Sequence, residues 1–222
     1  MSTRLVFLIS GMLCLAPSAA DARYRRLSLP ELSLRADLVV AGRITEVRPT
    51  TYVFEIETIV AGTSEARSLE IVQFRNWKCA RRWTTYAVGQ RLLVFLAKKE
   101  SSPENPRWKV LGSGCEGEMP IIDELVYVVT GPRPGWAKWT RYKNVYAGHL
   151  RAYNEHLETF SSAIRGLRTC FVLEEIDGSP YPGIGQQCDD TVLGSYSREA
   201  RMHKFLADCC VDTTTPRTAR SR

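Results

Sequence analysis

The chain lacks most of what an enzyme or a metal protein needs. It has only three histidines, His149, His156 and His203, and no C-x-x-C pair that would hold zinc. No G-x-S-x-G is present, so the sharp turn that exposes a hydrolase serine is missing. No paired carboxylates stand out: Glu174-Glu175 and Asp189-Asp190 are both in loop-like sequence where solvation is expected. No internal repeat is visible. Charge of neither sign dominates: Lys+Arg 30 against Asp+Glu 24 gives +6, which permits an anionic partner without requiring one. Hydrophobic residues at 44% and charged residues at 24% exclude wholesale disorder. The chain reads as a non-enzyme, and no cofactor or metal is expected.

The one long apolar run lies at the start. Arg4 precedes Leu5 to Ala16, which is too short to span a bilayer as an ordinary helix, and Ala20-Asp21-Ala22 comes after it as an Ala-x-Ala cleavage pattern. Residues 1–22 are therefore expected to be a signal peptide, with a secreted or periplasmic mature chain beginning at Arg23 and no transmembrane segment. Its removal takes Cys14 from seven cysteines and leaves Cys79, Cys115, Cys170, Cys188, Cys209 and Cys210. An even number in an exported chain reads as a disulfide framework.

The mature chain opens with Ser28-Leu29-Pro30-Glu31, a helix start with a capping serine, an early proline and a following acid. Short strands are then predicted at Leu38–Val47, Tyr52–Glu57, Leu69–Phe74, Leu92–Leu96, Trp108–Leu111 and Leu125–Val129. Leu92–Leu96 is the most apolar and reads as a central strand buried on both faces. Strands at this spacing point to a small, mainly β barrel of five to six strands. Beyond it, Leu150, Tyr153, Leu157, Phe160, Ile164 and Leu167 step by three and four, the stripe of an amphipathic helix. On such a helix His149 and His156 would stand about 10 Å apart, too far to share a metal. Met202, Phe205, Leu206 and Cys209 predict a second helix. The expected organisation is a signal peptide at 1–22, a barrel at 23–130, a helical extension at 131–212 and a disordered basic tail at 213–222.

Four pieces carry a family likeness: Ala36 to Gly42, Tyr52 to Ile56 with Ala61-Gly62, Cys79 with Val88 to Phe95, and Leu111 to Cys115. In order and spacing they resemble the netrin-like module, the OB-fold of the tissue inhibitors of metalloproteinases and their bacterial relatives, over residues 31 to 129. The resemblance implies an OB-like barrel used for binding. The inhibitors chelate a protease zinc through an N-terminal Cys-x-Cys, whereas this chain begins Arg23-Tyr24-Arg25-Arg26, so that chemistry is not carried over. The family's N-terminal cysteine partners are also absent, which implies that Cys79 pairs with Cys115. Cys209 and Cys210 would point about 100° apart on a helix, so each is expected to take its own partner, leaving Cys170 and Cys188.

Gly112-Ser113-Gly114-Cys115-Glu116-Gly117 spells G-x-G-x-x-G, but a strand rather than a helix comes next, so a dinucleotide site is not expected. Two clusters interleave cations with flat rings. The first holds Arg75, Trp77, Lys78, Arg81, Arg82 and Trp83; the second holds Trp136, Lys138, Trp139 and Arg141. OB-folds bind extended anionic or sugar ligands with such mixtures, while the competing reading is tryptophans capping the barrel with arginine stems laid over them. The expectation is an exported binding module for an extracytoplasmic protein or anionic polymer, with Arg81, Arg82 and Trp83 facing solvent, and no cytoplasmic nucleic acid. The alternatives are a protease inhibitor acting by surface occlusion and an exported hydrolase.

Overall fold

The computed structural model describes residues 25–77, 80–98, 108–113, 116–129, 133–138, 140–144 and 148–214. The expected signal peptide, Lys78, Cys79, Cys115, Trp139 and the tail from 215 onward lie outside them.

Helix α1 (Leu29–Arg35) begins as its sequence demands. Ser28 accepts from the Glu31 backbone N–H, Glu31 accepts from the Ser28 N–H, and Pro30 needs no partner in the first turn. Strands β1 (Leu38–Val47), β2 (Thr51–Ala61), β3 (Ser68–Val72), β4 (Arg91–Lys98) and β5 (Trp108–Val110) come next. They pair in the order β1-β2-β3-β5-β4, and β4 closes onto β1. β3 and β5 run parallel; the other pairings are antiparallel. This closed five-stranded barrel is OB-like.

Alternation sorts the side chains of β1 and β4. Leu38, Val40, Ile44, Leu92, Val94 and Leu96 fill the barrel with Tyr52, Phe54, Ile71 and Trp108. Val39, Ala41, Leu93 and Phe95 point the other way and are equally buried, beneath helices. Both strands thus read as continuous apolar runs because both their faces are covered. Gly42 permits the tight β1–β2 crossing: a Cβ there would stand 2.0 Å from the Glu55 carbonyl oxygen.

β6 (Glu118–Ile122) pairs with the start of β4, and β7 (Leu125–Val128), β9 (Gly148–His156) and β8 (Thr140–Asn144) continue the sheet away from the barrel. Helix α2 (Leu157–Cys170) then packs Phe160, Ala163, Ile164 and Leu167 onto the outer face of the barrel. The hairpin β10 (Phe171–Glu174) with β11 (Gly183–Gln186) leads to α3 (Asp190–Glu199) and α4 (Arg201–Thr214).

Three expectations need correction. The helix predicted from Leu150 starts only at Leu157, because residues 148–156 pair along β7 and β8 as a strand. Tyr153 is buried there, but strand residues three apart lie on opposite faces, so the stepping before Leu157 has no helical meaning. His149 and His156 stand at opposite ends of β9, on the order of 23 Å apart along an extended strand. The Glu174-Glu175 and Asp189-Asp190 pairs are exposed as expected but are not simple loop: Asp189 caps α3 by accepting from the Val192 N–H, Asp190 begins α3, and Glu174 ends β10. Finally, Cys170 and Cys188 are bonded to each other rather than to Cys209 and Cys210. The β10–β11 register sets Phe171 against Gln186 and so brings the residues flanking the hairpin together; the Gln187 N–H donates to the Cys170 carbonyl at 2.8 Å.

Candidate functional site

The segment between β3 and β4 crosses one end of the barrel, and a buried polar network holds it there. Glu118, the first residue of β6, is wholly buried and accepts from four side-chain groups of the barrel and the segment. Its Oε2 accepts from Arg82 Nε at 2.7 Å and its Oε1 from the Tyr52 hydroxyl at 2.8 Å; the Tyr86 hydroxyl lies 3.1 Å from both. The Trp83 indole N–H donates to the Glu118 carbonyl at 3.2 Å. Arg82 donates further to the Thr84 and Thr85 carbonyls and to Gln90 Oε1, and Gln90 returns a bond to the Thr85 carbonyl. Its guanidinium lies 4.0 Å from the Tyr86 ring centre and 4.6 Å from that of Trp83. Burial, reinforced by the Glu118 charge, pushes the Tyr52 and Tyr86 hydroxyls well above the usual phenol range, so both stay protonated donors.

Arg82, expected at the surface, is therefore inside: its side chain is 1% exposed. Trp83 is half-buried and packs toward Tyr127 and Ala152 of β7 and β9. These two residues follow the capping-tryptophan alternative. A free carboxylate in an apolar interior would be too costly, so Glu118 needs Arg82 opposite it. The partners missed from sequence are Tyr52, Tyr86, Gln90 and Glu118. An acid leading the apolar run Met119 to Ile122 was the signal, since such a residue needs a cation from elsewhere in the fold.

The same network fixes the first stretch of the segment. Phe74 donates its N–H to the Tyr86 hydroxyl at 2.8 Å, the Arg82 N–H bonds Asn76 Oδ1 at 2.7 Å, and Gln73 Nε2 bonds the Arg48 and Thr51 carbonyls. Trp77 bridges to Ala80 through a reciprocal pair of backbone bonds. Residues 73–77 are thereby set beside the parallel pair β3–β5. There they form one wall of a groove of about 440 Å³, with Val72, Phe74 and Val110 as apolar lining and Arg75, Trp77 and Lys109 as its charged and aromatic members. Arg75 and Lys109 are exposed, and Trp77 keeps 44% of its surface.

The second cluster lies elsewhere. Trp136 is 36% exposed with the Arg201 guanidinium of α4 at 5.1 Å over its ring, and Lys138 is exposed. Arg81 is exposed on the segment. The Arg141 side chain, Lys78 and Trp139 are outside the described residues. Lys109, which completes the groove, was not singled out from sequence; its outward position on β5 follows only from the strand's alternation.

A further histidine cluster lies among the helices. The Ser162 hydroxyl donates to Glu199 at 2.7 Å, and His203 Nε2 approaches both Ser162 Oγ at 3.2 Å and Glu199 Oε1 at 3.3 Å. A Ser-His-acid triad would use the two ring nitrogens separately, with the acid on Nδ1. Here both contacts share Nε2, and Nδ1 is buried without a hydrogen-bond partner among the described residues. Burial lowers the His203 pKa, partly opposed by the Glu199 and Glu155 charges. Among the described residues no group of three or more His, Cys, Asp or Glu side chains is arranged to hold a metal ion, and no helix is long and apolar enough to cross a membrane.

No family model, curated protein or solved structure matches this chain.

Proposed function

We propose that this protein is an exported, non-enzymatic binding module of the netrin-like OB type, which engages a protein or an anionic polymer outside the cytoplasm. The observation that carries this reading is the groove beside β3 and β5. Exposed Arg75 and the exposed Trp77 indole stand there on a segment pinned from below by buried hydrogen bonds, and exposed Lys109 of β5 faces the same groove. OB barrels receive ligands on the β2–β3 face and on the loops around it, and β3 borders this groove through Val72. The OB-like strand order, the capped helix α1 ahead of β1 and the α2 cover support the family reading. The Cys170–Cys188 bond and the apolar run before Ala22 support export.

The test has two parts. N-terminal sequencing of the product made in its own host is expected to give Arg23, and a retained Met1 on a cytoplasmic product would end the export reading. Purified mature protein is expected to bind a discrete extracytoplasmic protein or an immobilised polyanion. That binding should weaken when Arg75 and Arg81 are changed to Ala. A protein that binds neither, and instead turns over a substrate in a broad hydrolase screen, would be an enzyme and not a binding module.

A further inference from the structure

We propose that the occupant of the β3–β5 groove is an extended acidic peptide segment carrying one bulky apolar side chain. The inference rests on the binding-module reading and narrows it to one class of partner.

Charge comes first. The groove residues include two cations, Arg75 and Lys109, and no acid. Neither cation forms an ion pair among the described residues, as is also true of Arg67, Arg165 and Arg198, whereas Arg43 pairs with Glu55 and Glu57 and Arg48 with Glu46 and Glu70. Two exposed cations with no acid between them give the groove a positive potential, which complements a negatively charged occupant.

Shape comes second. Val72, Phe74 and Val110 line the groove between those cations, and Trp77 stands at its rim. A volume of about 440 Å³ with an apolar lining accepts a buried anchor side chain flanked by charge. Anionic polymers of sugars or nucleotides need a different surface, a track of cations with several flat platforms in succession. Among the described residues, the other two tryptophans of the two clusters are engaged elsewhere. Trp83 lies beneath Arg82 in the buried network and Trp136 lies under Arg201.

Order comes third. The groove wall is pinned at Gln73, Phe74 and Asn76 by hydrogen bonds to the barrel and the network. A preformed groove spares a peptide the cost of ordering its receptor.

The experiment pans a displayed library of random twelve-residue peptides against the full mature protein, with the Arg75→Glu/Lys109→Glu double variant as counter-selection. Both side chains are exposed, so the variant is expected to keep the parent's circular dichroism and melting temperature. Peptides that bind the parent but not the variant should combine several Asp or Glu with one bulky apolar residue. A synthetic copy should lose at least about tenfold in affinity to the double variant, and as much when its apolar residue becomes Ala. Enriched peptides without that pattern, or held equally by the variant, would overturn the proposal. A sulfated oligosaccharide and a single-stranded oligonucleotide run in parallel separate the two levels. If either binds in a manner sensitive to the double variant while no peptide does, the groove is a ligand site for a polymer and the peptide inference falls alone. If peptide, oligosaccharide and oligonucleotide all fail, the binding-module reading of this groove falls with it.

Discussion

Arg82 shows how one residue in a basic cluster can differ from its neighbours. Arg75, Arg81 and Arg82 read alike in sequence, yet only Arg82 meets a buried carboxylate. Removing it alone strands Glu118 in the interior. Arg82→Ala is expected to lower unfolding free energy by about 3–5 kcal/mol in urea, and the Arg82→Leu/Glu118→Leu pair to cost clearly less than either single change. A double variant as unstable as the singles together would mean that the ion pair is not the element holding the segment. His203 gives a pH prediction. Its pKa is lowered in the fold from an ordinary value of 6.5, chiefly by burial. Below that ordinary value the unfolded chain takes up a proton that the folded chain resists, so stability should fall as pH drops through about 6.5 and level off below the lowered folded pKa. Unfolding midpoints measured from pH 8 to pH 4 should show this loss, and His203→Gln should flatten it in that window. An unchanged slope in the variant would assign the acid sensitivity to other groups.

Elements repeat the lesson at a larger scale. The stripe Phe160, Ile164 and Leu167 identified α2 from sequence, but the same stepping ran on into β9, where pairing with β7 overrode it. Strand partners are invisible to a periodicity, which records only a residue's own neighbours. Helix α3 left little signal of its own, because Tyr196 is its only buried residue and Gly194 interrupts it. Its cap, Asp189, was legible in principle as an acid three residues before the Val192 N–H that it accepts. The disulfide depended on a hairpin that sequence reading left as loop. Cys170–Cys188 closes a separation of 18 residues, so a Cys170→Ser/Cys188→Ser variant should lose about 3 kcal/mol of stability. Thermal unfolding of the oxidised parent and of the variant would check it, and equal melting temperatures would mean that the bond adds nothing to the hairpin's own packing.

On the scale of the whole molecule, the barrel and the C-terminal helices share a core. Val39, Ala41, Leu93 and Phe95 on the barrel's outer face are buried with Phe160, Ile164, Leu167, Met202 and Leu206 of the helices. A fragment of residues 23–130 would leave that face bare. It is expected to bind a hydrophobic dye and to melt without a cooperative transition, whereas the mature chain melts in one step. A fragment that unfolds cooperatively on its own would make the barrel an independent domain. The sequence by itself determined whatever depends on near neighbours. Alternating and continuous apolar runs placed β1, β2, β4 and β5, and Ser28, Pro30 and Glu31 placed the start of α1, because propensity, capping and periodicity act within a few residues. The tertiary structure alone decided whatever depends on distant partners. Glu118 lies 36 residues from Arg82, and their meeting turned an expected surface arginine into an interior one. Lys109 joins Arg75 and Trp77 only because β5 lies parallel to β3. Pairing across that separation is fixed by chain closure and by the need to satisfy buried charge, neither of which is written at any single position.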